Sequence, residues 1–299
     1  MSRFLLLLAT LLLTLNAHAD LRVFACEPEW AALARELGHD HLHLTTATTA
    51  QQDPHHIQAR PSLIARLRRA DLLICTGADL EIGWLPVLLR RAANPHVQPG
   101  KPGYFEATRF VTLLDVPASV DRALGDLHPA GNPHIQTDPR NFLPVARALG
   151  ERLAQLDPAR AEDYRKGTAD FLRRWRAALA RWNPRARKLR GLKVVTHHKG
   201  WTYLGHWLGW QVVARLEPKP GVPPSTAHLA EVLETLKRQP AAGIIRAAYQ
   251  PARPSRWLHE RTGLPAVVLP FTVGGTPQAR DLFGLFDDTL SRLETLSHE

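Results

Sequence analysis

The apolar positions of this chain change period along its length, and the changes outline an architecture. Leu21-Arg22-Val23-Phe24-Ala25 reads as a short strand, and Trp30, Leu33, Ala34 and Leu37 then recur at helical spacing from Pro28 to Leu37. His41-Leu42-His43-Leu44 alternates in period two as a second strand, which puts His41 and His43 on one face as surface groups rather than a chelating pair. Pro61 opens a helix at a favoured first-turn position, followed by Leu63, Ile64 and Leu67. A strand at Asp71-Leu72-Leu73-Ile74 and a helix from Asp79 to Arg91 complete a repeated βα pattern. That pattern predicts a parallel sheet with helices on both faces.

Between Asp138 and Trp182 the alternation stops. A helix is expected from Pro139 to Leu156, then Asp157-Pro158 as a cap and first turn. A second helix follows, carrying Ala161, Tyr164, Phe171, Leu172, Trp175, Leu179 and Trp182, and Asn183-Pro184 is expected to end it. Roughly 25 helical residues extend about 37 Å, enough to run the length of a two-lobed molecule. Strands then return at Leu192 to Thr196, Gln211 to Leu216, Gly243 to Ala247 and Ala266 to Leu269, with helices near 200–208, 225–237, 254–262 and 277–296. The expected fold class is α/β, two lobes with parallel central sheets joined by a long backbone helix. The expected divisions are an N-terminal lobe at 20–157, a linking helix at 158–183 and a C-terminal lobe at 184–299.

The amino terminus adds a destination. Met1-Ser2-Arg3 is a short basic start, Phe4 to Leu15 is almost wholly apolar, and Ala17-His18-Ala19 offers small residues at the positions a signal peptidase reads. Residues 1–19 are therefore expected to be a cleaved secretory signal, too short for a membrane anchor, with the cut before Asp20. No cysteine follows that cut to take a lipid, so the mature chain is expected in a periplasm. The net charge of +10 is spread over helical patterns, densest at Arg173-Arg174-Trp175-Arg176 and Arg185 to Arg190. No aromatic-interleaved basic motif or zinc finger accompanies it, so the cluster reads as a solvated helix face and nucleic acid is not an expected partner. Cys26 and Cys75 each end a predicted strand and face an oxidising compartment. Bridged and free states both remain open, and thiolate ligation is disfavoured because no Cys-x-x-Cys spacing occurs.

The candidate chemistry lies in three histidine settings, Asp53-Pro54-His55, Gly131-Asn132-Pro133-His134 and Val195-Thr196-His197-His198. His55 and His134 are 79 residues apart, His134 and His198 a further 64, so only a fold that gathers loop ends could unite them. Two α/β lobes do so, because such sheets place ligands beyond the carboxyl ends of their strands. Neutral imidazole is the commonest protein ligand for zinc and its neighbours, and the pattern points to a metal.

These residues resemble the periplasmic metal-binding receptors of ABC transporters, the cluster A-I or TroA-like family. Asp53-Pro54-His55 with Pro61-Ser62 looks like the first ligand motif, Gly131 to His134 with Asp138-Pro139 like the second, and His198 with Tyr203 and Gly209 like the third. Glu81, Trp84, the helix around Tyr164 and Glu217-Pro218-Lys219-Pro220-Gly221 match further landmarks, in order, over nearly the whole mature chain. The resemblance implies a monomeric receptor, outside the membrane, that captures a divalent metal and delivers it to an ABC permease without enzymatic chemistry. It implies His55, His134 and His198 as ligands. Three imidazoles favour Zn²⁺, because manganese receptors usually replace the third histidine with a carboxylate and Mn²⁺ suits oxygen donors.

The chain departs from the family at one point. The Asp that often supplies a fourth ligand after the last core strand is missing from Val268-Leu269-Pro270-Phe271-Thr272-Val273-Gly274-Gly275. Water, His128, Asp126, His56 and His197 are the remaining candidates, His56 and His197 also reading as surface or supporting groups. His206 and His228 fall in helical patterns and are expected to pack or face water, Glu81 to be structural, and Trp201, Tyr203, Trp207 and Trp210 to pack the second lobe. Two other classes share this inventory. A zinc hydrolase or hydratase would need a general base beside the ligand motifs, and no His-Glu-x-x-His helix occurs. A periplasmic zinc chaperone or adhesin would differ by having no permease.

Overall fold

The computed structural model describes residues 20–117 and 128–297; the expected signal at 1–19 and the candidate Asp126 lie outside the described residues. Strands β1 (Leu21–Ala25), β2 (Leu42–Thr46), β3 (Leu72–Cys75) and β4 (Tyr104–Glu106) form one parallel sheet in the order β2-β1-β3-β4. Strands β5 (Lys193–Thr196), β6 (Gln211–Arg215), β7 (Gly243–Ala247) and β8 (Ala266–Leu269) form a second in the equivalent order β6-β5-β7-β8. The expected two-lobed α/β class is the observed one. Central strands with apolar side chains on both faces require cover on both, and every residue of β3 is buried.

Helices supply that cover. In the first lobe these are α1 (Pro28–Gly38), α2 (Pro61–Leu67) and α3 (Leu85–Ala92), followed by α4 (Phe142–Leu156). The long helix α5 (Ala161–Lys188) leads into α6 (Thr202–Leu208), α7 (Thr226–Arg238), α8 (Ala252–Thr262) and α9 (Leu282–Glu294). The buried stripe of α5 holds Tyr164, Phe171, Trp175, Ala178, Trp182 and Ala186. Trp175 meets Phe171 at 5.2 Å, Trp182 at 5.1 Å and Phe286 of α9 at 5.7 Å between ring centroids. Around this stripe Trp30 and Leu72 of the first lobe share one continuous core with Val194 and Ile245 of the second.

Several elements differ from the sequence-based expectation. The helix expected from Asp79 starts at Leu85, because Ala78 and Asp79 have positive φ (51° and 63°) and cannot join a right-handed helix. Pro184 lies inside α5 instead of ending it. Proline removes one helical hydrogen bond, but buried Trp182 and Ala186 flank it, and Arg185 donates to both carboxylate oxygens of Glu294 at 2.8 Å. The last helix begins at Leu282 rather than 277, where Asp281 caps it by accepting from the Gly284 N–H. Strand β4, with only three residues, is too short to carry a periodic sequence signal. His41 falls in a single helical turn before β2, so it does not share a strand face with His43.

The cysteine question closes as a bridge. Cys26 and Cys75 lie at the ends of neighbouring strands β1 and β3 and form a disulfide with Cα atoms 4.8 Å apart, inside the usual range.

Candidate metal centre

His55, His134 and His198 converge. Ring centroids are 5.2 Å apart for His55 and His134, 5.7 Å for His55 and His198, and 5.6 Å for His134 and His198. One ligand atom of each lies within 4.8 Å of those of the other two, and all three residues are buried. A tetrahedral zinc with bonds of about 2 Å would hold such ring centroids about 5 Å apart.

Each histidine is aimed by its own loop. His55 follows β2 through residues 47–54, and Trp84 donates to the Pro54 carbonyl at 2.8 Å, which fixes that loop to the first lobe. Asp53 Oδ1 accepts from the His55 backbone N–H at 3.0 Å and faces its Nδ1 at 2.7 Å. A carboxylate at Nδ1 places the proton there and leaves Nε2 as the lone pair. That Nε2 is buried and has no hydrogen-bond partner among the described residues. Burial opposes the charge of Asp53, yet the hydrogen bonds and charge of His55 hold its carboxyl below the ordinary value.

His198 sits two residues beyond β5, and its Nδ1 faces Glu217 Oε2 at 2.6 Å. Glu217 is in turn held by the Gly221 N–H at 3.2 Å. His134 is set by Asn132, whose Oδ1 accepts from the His134 backbone N–H at 3.0 Å. The Asn132 amide also donates across the cleft to the Lys199 carbonyl at 3.0 Å and to Thr202 at 3.1 Å. Tyr203 closes the same seam: its hydroxyl donates to the Asn132 carbonyl at 2.7 Å and accepts from the Leu114 N–H at 3.0 Å. Gly131 has φ of 120°, and a Cβ there would meet the Leu114 carbonyl at 2.8 Å, so glycine is required at this turn. Burial, then the charges of His55, His198 and His128, push the His134 pKa well below the ordinary value, so the ring stays neutral.

The other candidates sort by position. His197 is buried and 3.9 Å from Glu217, and burial lowers its pKa to about 4. His56 is exposed, with its ring 6.2 Å from that of His55. His128 stands at the edge of the cluster, 5.5 Å from His55 and 6.3 Å from His134. Glu81 is structural as expected, accepting from the Thr76 N–H at 2.8 Å and the Gly77 N–H at 3.1 Å. His206 faces Arg140, and His228 faces the Arg215 carbonyl. Trp201, Tyr203, Trp207 and Trp210 all belong to the continuous core. In the stretch after β8 the Phe271 ring packs against His134 at 5.2 Å. Sequence reasoning missed the roles of Glu217 and Asn132. Glu217 is separated from His198 by 19 residues, and only pairing of β5 with β6 brings them together.

A two-lobed α/β protein with buried imidazoles between the lobes defines a class, that of binding proteins with a metal-competent cleft. The chain belongs to the ZnuA family, described as zinc-uptake complex component A, periplasmic, which it matches over residues 23–296. Among characterised relatives, the zinc-binding lipoprotein AdcA of Streptococcus pneumoniae is 24% identical over 199 residues, covering 65% of this chain. The chain spans only 38% of that protein's length. The manganese ABC transporter substrate-binding lipoprotein PsaA of Streptococcus anginosus is 21% identical, covering 84% of this chain and 80% of PsaA. A crystal structure of ZnuA superposes with a TM-score of 0.75 at 17% identity, covering 93% of this chain and 98% of that one. Among the described residues no helix is long and apolar enough to cross a membrane.

Proposed function

We propose that this protein captures a divalent metal, Zn²⁺ before Mn²⁺, through His55, His134 and His198, and delivers it to the permease of an ABC importer. The carrying observation is the convergence of three buried imidazoles, two of them backed by carboxylates, from loops far apart in sequence. Names among the relatives support the class of cargo, since AdcA is called zinc-binding and PsaA a manganese transporter component. Three nitrogen donors favour zinc over manganese. We place the mature chain in the periplasm after loss of residues 1–19, as a monomer. We also divide it as lobe 20–157, linking helix 158–183 and lobe 184–299. The mechanism is coordination alone. Among the described residues the neighbouring carboxylates are engaged, Asp53 with His55, Glu217 with His198 and Asp115 with Lys199, which speaks against a hydrolytic general base.

The test is competitive titration of the metal-free mature protein with Zn²⁺ and Mn²⁺, repeated on His55→Ala, His134→Ala and His198→Ala. One-to-one zinc binding, lost in each variant, is expected. Binding indifferent to all three substitutions would remove this reading. Because imidazole binds metal only when neutral, affinity is expected to fall as pH drops through the histidine range. Equal affinity at pH 5 and 7.5 would contradict it.

A further inference from the structure

Three imidazoles leave a tetrahedral ion one ligand short. Among the described residues the carboxylates beside the cluster are engaged elsewhere, Asp53 with His55, Glu217 with His198 and Asp115 with Lys199, and Phe271 brings an aromatic ring against His134. We propose that His128 supplies the fourth ligand and closes the site as a cage of four imidazoles; this rests on the three-histidine reading above.

The geometry carries it. In a four-imidazole tetrahedron every pair of ring centroids is about 5 Å apart, given a zinc–nitrogen bond of about 2 Å. His128 is 5.5 Å from His55, within the 5.2–5.7 Å spacings of the three among themselves, and 6.3 Å from His134. Its ring also borders, with His134, His198 and Asn132, a cavity of about 30 Å³. That volume exceeds the space one water needs.

The hydrogen bonding of His128 fits the same role. Its Nδ1 is buried and unpartnered among the described residues. The backbone of Ala78 and Asp79 faces the ring. A neutral imidazole has one N–H and one lone pair. The buried, unpartnered Nδ1 is the nitrogen placed to accept a metal. Ala78 and Asp79 are the two left-handed residues that delay α3, held between the disulfide at Cys75 and the anchoring carboxylate of Glu81.

The rival histidines fit less well. His197 is beside Glu217, and His56 is exposed and on the first ligand's own loop. His128 lies outside the 4.8 Å span of the other three donors, so it joins by a small closing movement when the ion arrives. A complete set of nitrogen donors would favour Zn²⁺, Cu²⁺ and Ni²⁺ over Mn²⁺ more strongly than three with a water.

The experiment counts ligands. X-ray absorption on the zinc-loaded mature protein should give four imidazoles, and the cobalt-loaded protein should show the intense visible bands of a tetrahedral site. His128→Ala is expected to keep one-to-one binding, show three imidazoles and an oxygen, and bind zinc on the order of 10–100-fold more weakly, as when ligand support is lost. Its preference for Zn²⁺ over Mn²⁺ should shrink, and added free imidazole should restore the parent's cobalt spectrum. Three imidazoles in the parent would overturn the proposal, even if the variant failed to fold. Parent-like affinity and spectrum in His128→Ala would do the same. A parent that binds no zinc would instead bring down the three-histidine reading and this proposal with it.

Discussion

The two lobes share one topology yet load their central strand ends with opposite chemistry. In the first lobe β1 and β3 run into the disulfide and then into acids: Glu27, Glu29 and Glu81 are all buried. Burial raises their pKa values, to about 7 for Glu29 and Glu81, and burial with the charges of Glu81 and Glu29 raises Glu27 well above its ordinary value. In the second lobe β5 ends directly in His197 and His198. The first lobe therefore keeps protons at the place where the second offers an imidazole, and supplies its own imidazole from the loop after edge strand β2. Topology determines where a site can form; the residue at each strand end determines what it binds.

The largest asymmetry to break is the disulfide, which the second lobe lacks. Replacing Cys26 and Cys75 by serine removes a link across 49 residues, for which chain entropy suggests a loss of about 4 kcal/mol. Denaturant unfolding should register that loss, while zinc affinity measured on the folded variant stays within a few fold. A variant as stable as the parent would mean the bridge does not constrain the chain.

The next comparison sets the two orienting carboxylates against each other. Asp53→Asn and Glu217→Gln should each weaken zinc binding on the order of 10–100-fold, because each releases the nitrogen that fixes its imidazole. If only one of them mattered in titration, the lobes would not hold their ligands by the same device.

The smallest effect expected is in the acid cluster. Glu29 is protonated in the fold at pH values where an unfolded carboxyl has lost its proton. Between the ordinary carboxyl value and about 7 the folded state thus holds more protons, so stability falls as pH rises through that window and levels off above it. Glu29→Gln can still accept the Thr272 hydroxyl but no longer titrates. It should flatten that decline in unfolding experiments at pH 4.5 and 7.5. A variant whose pH profile parallels the parent's would show that Glu29 ionises as readily in the fold as outside it.

Much of the fold was legible because buried strands such as Leu72-Leu73-Ile74 have few other readings. The site was legible through its three loop motifs, each carried by adjacent residues. The turn at 77–84 was not, since nothing local marks Ala78 and Asp79 as left-handed. Nor was the passage of α5 through Pro184, where tertiary packing outweighs a local breaker. Asp53 could be guessed beside His55, two residues away, whereas Glu217 reaches His198 only through strand pairing. The bridge was undecidable from two lone cysteines without knowing that β1 and β3 are neighbours.

The continuous core along α5 has a thermodynamic consequence. With Trp30 and Leu72 packed into the same interior as Val194 and Ile245, neither half has an independent seam along which to melt. Heating should take the whole chain through one cooperative transition, and any ion bound only by the native form raises its midpoint. At a thousandfold excess over the dissociation constant that linkage is about 4 kcal/mol. The fluorescence of Trp175 and Trp182, in the core of α5, would then act as a thermometer for occupancy of the histidine cluster.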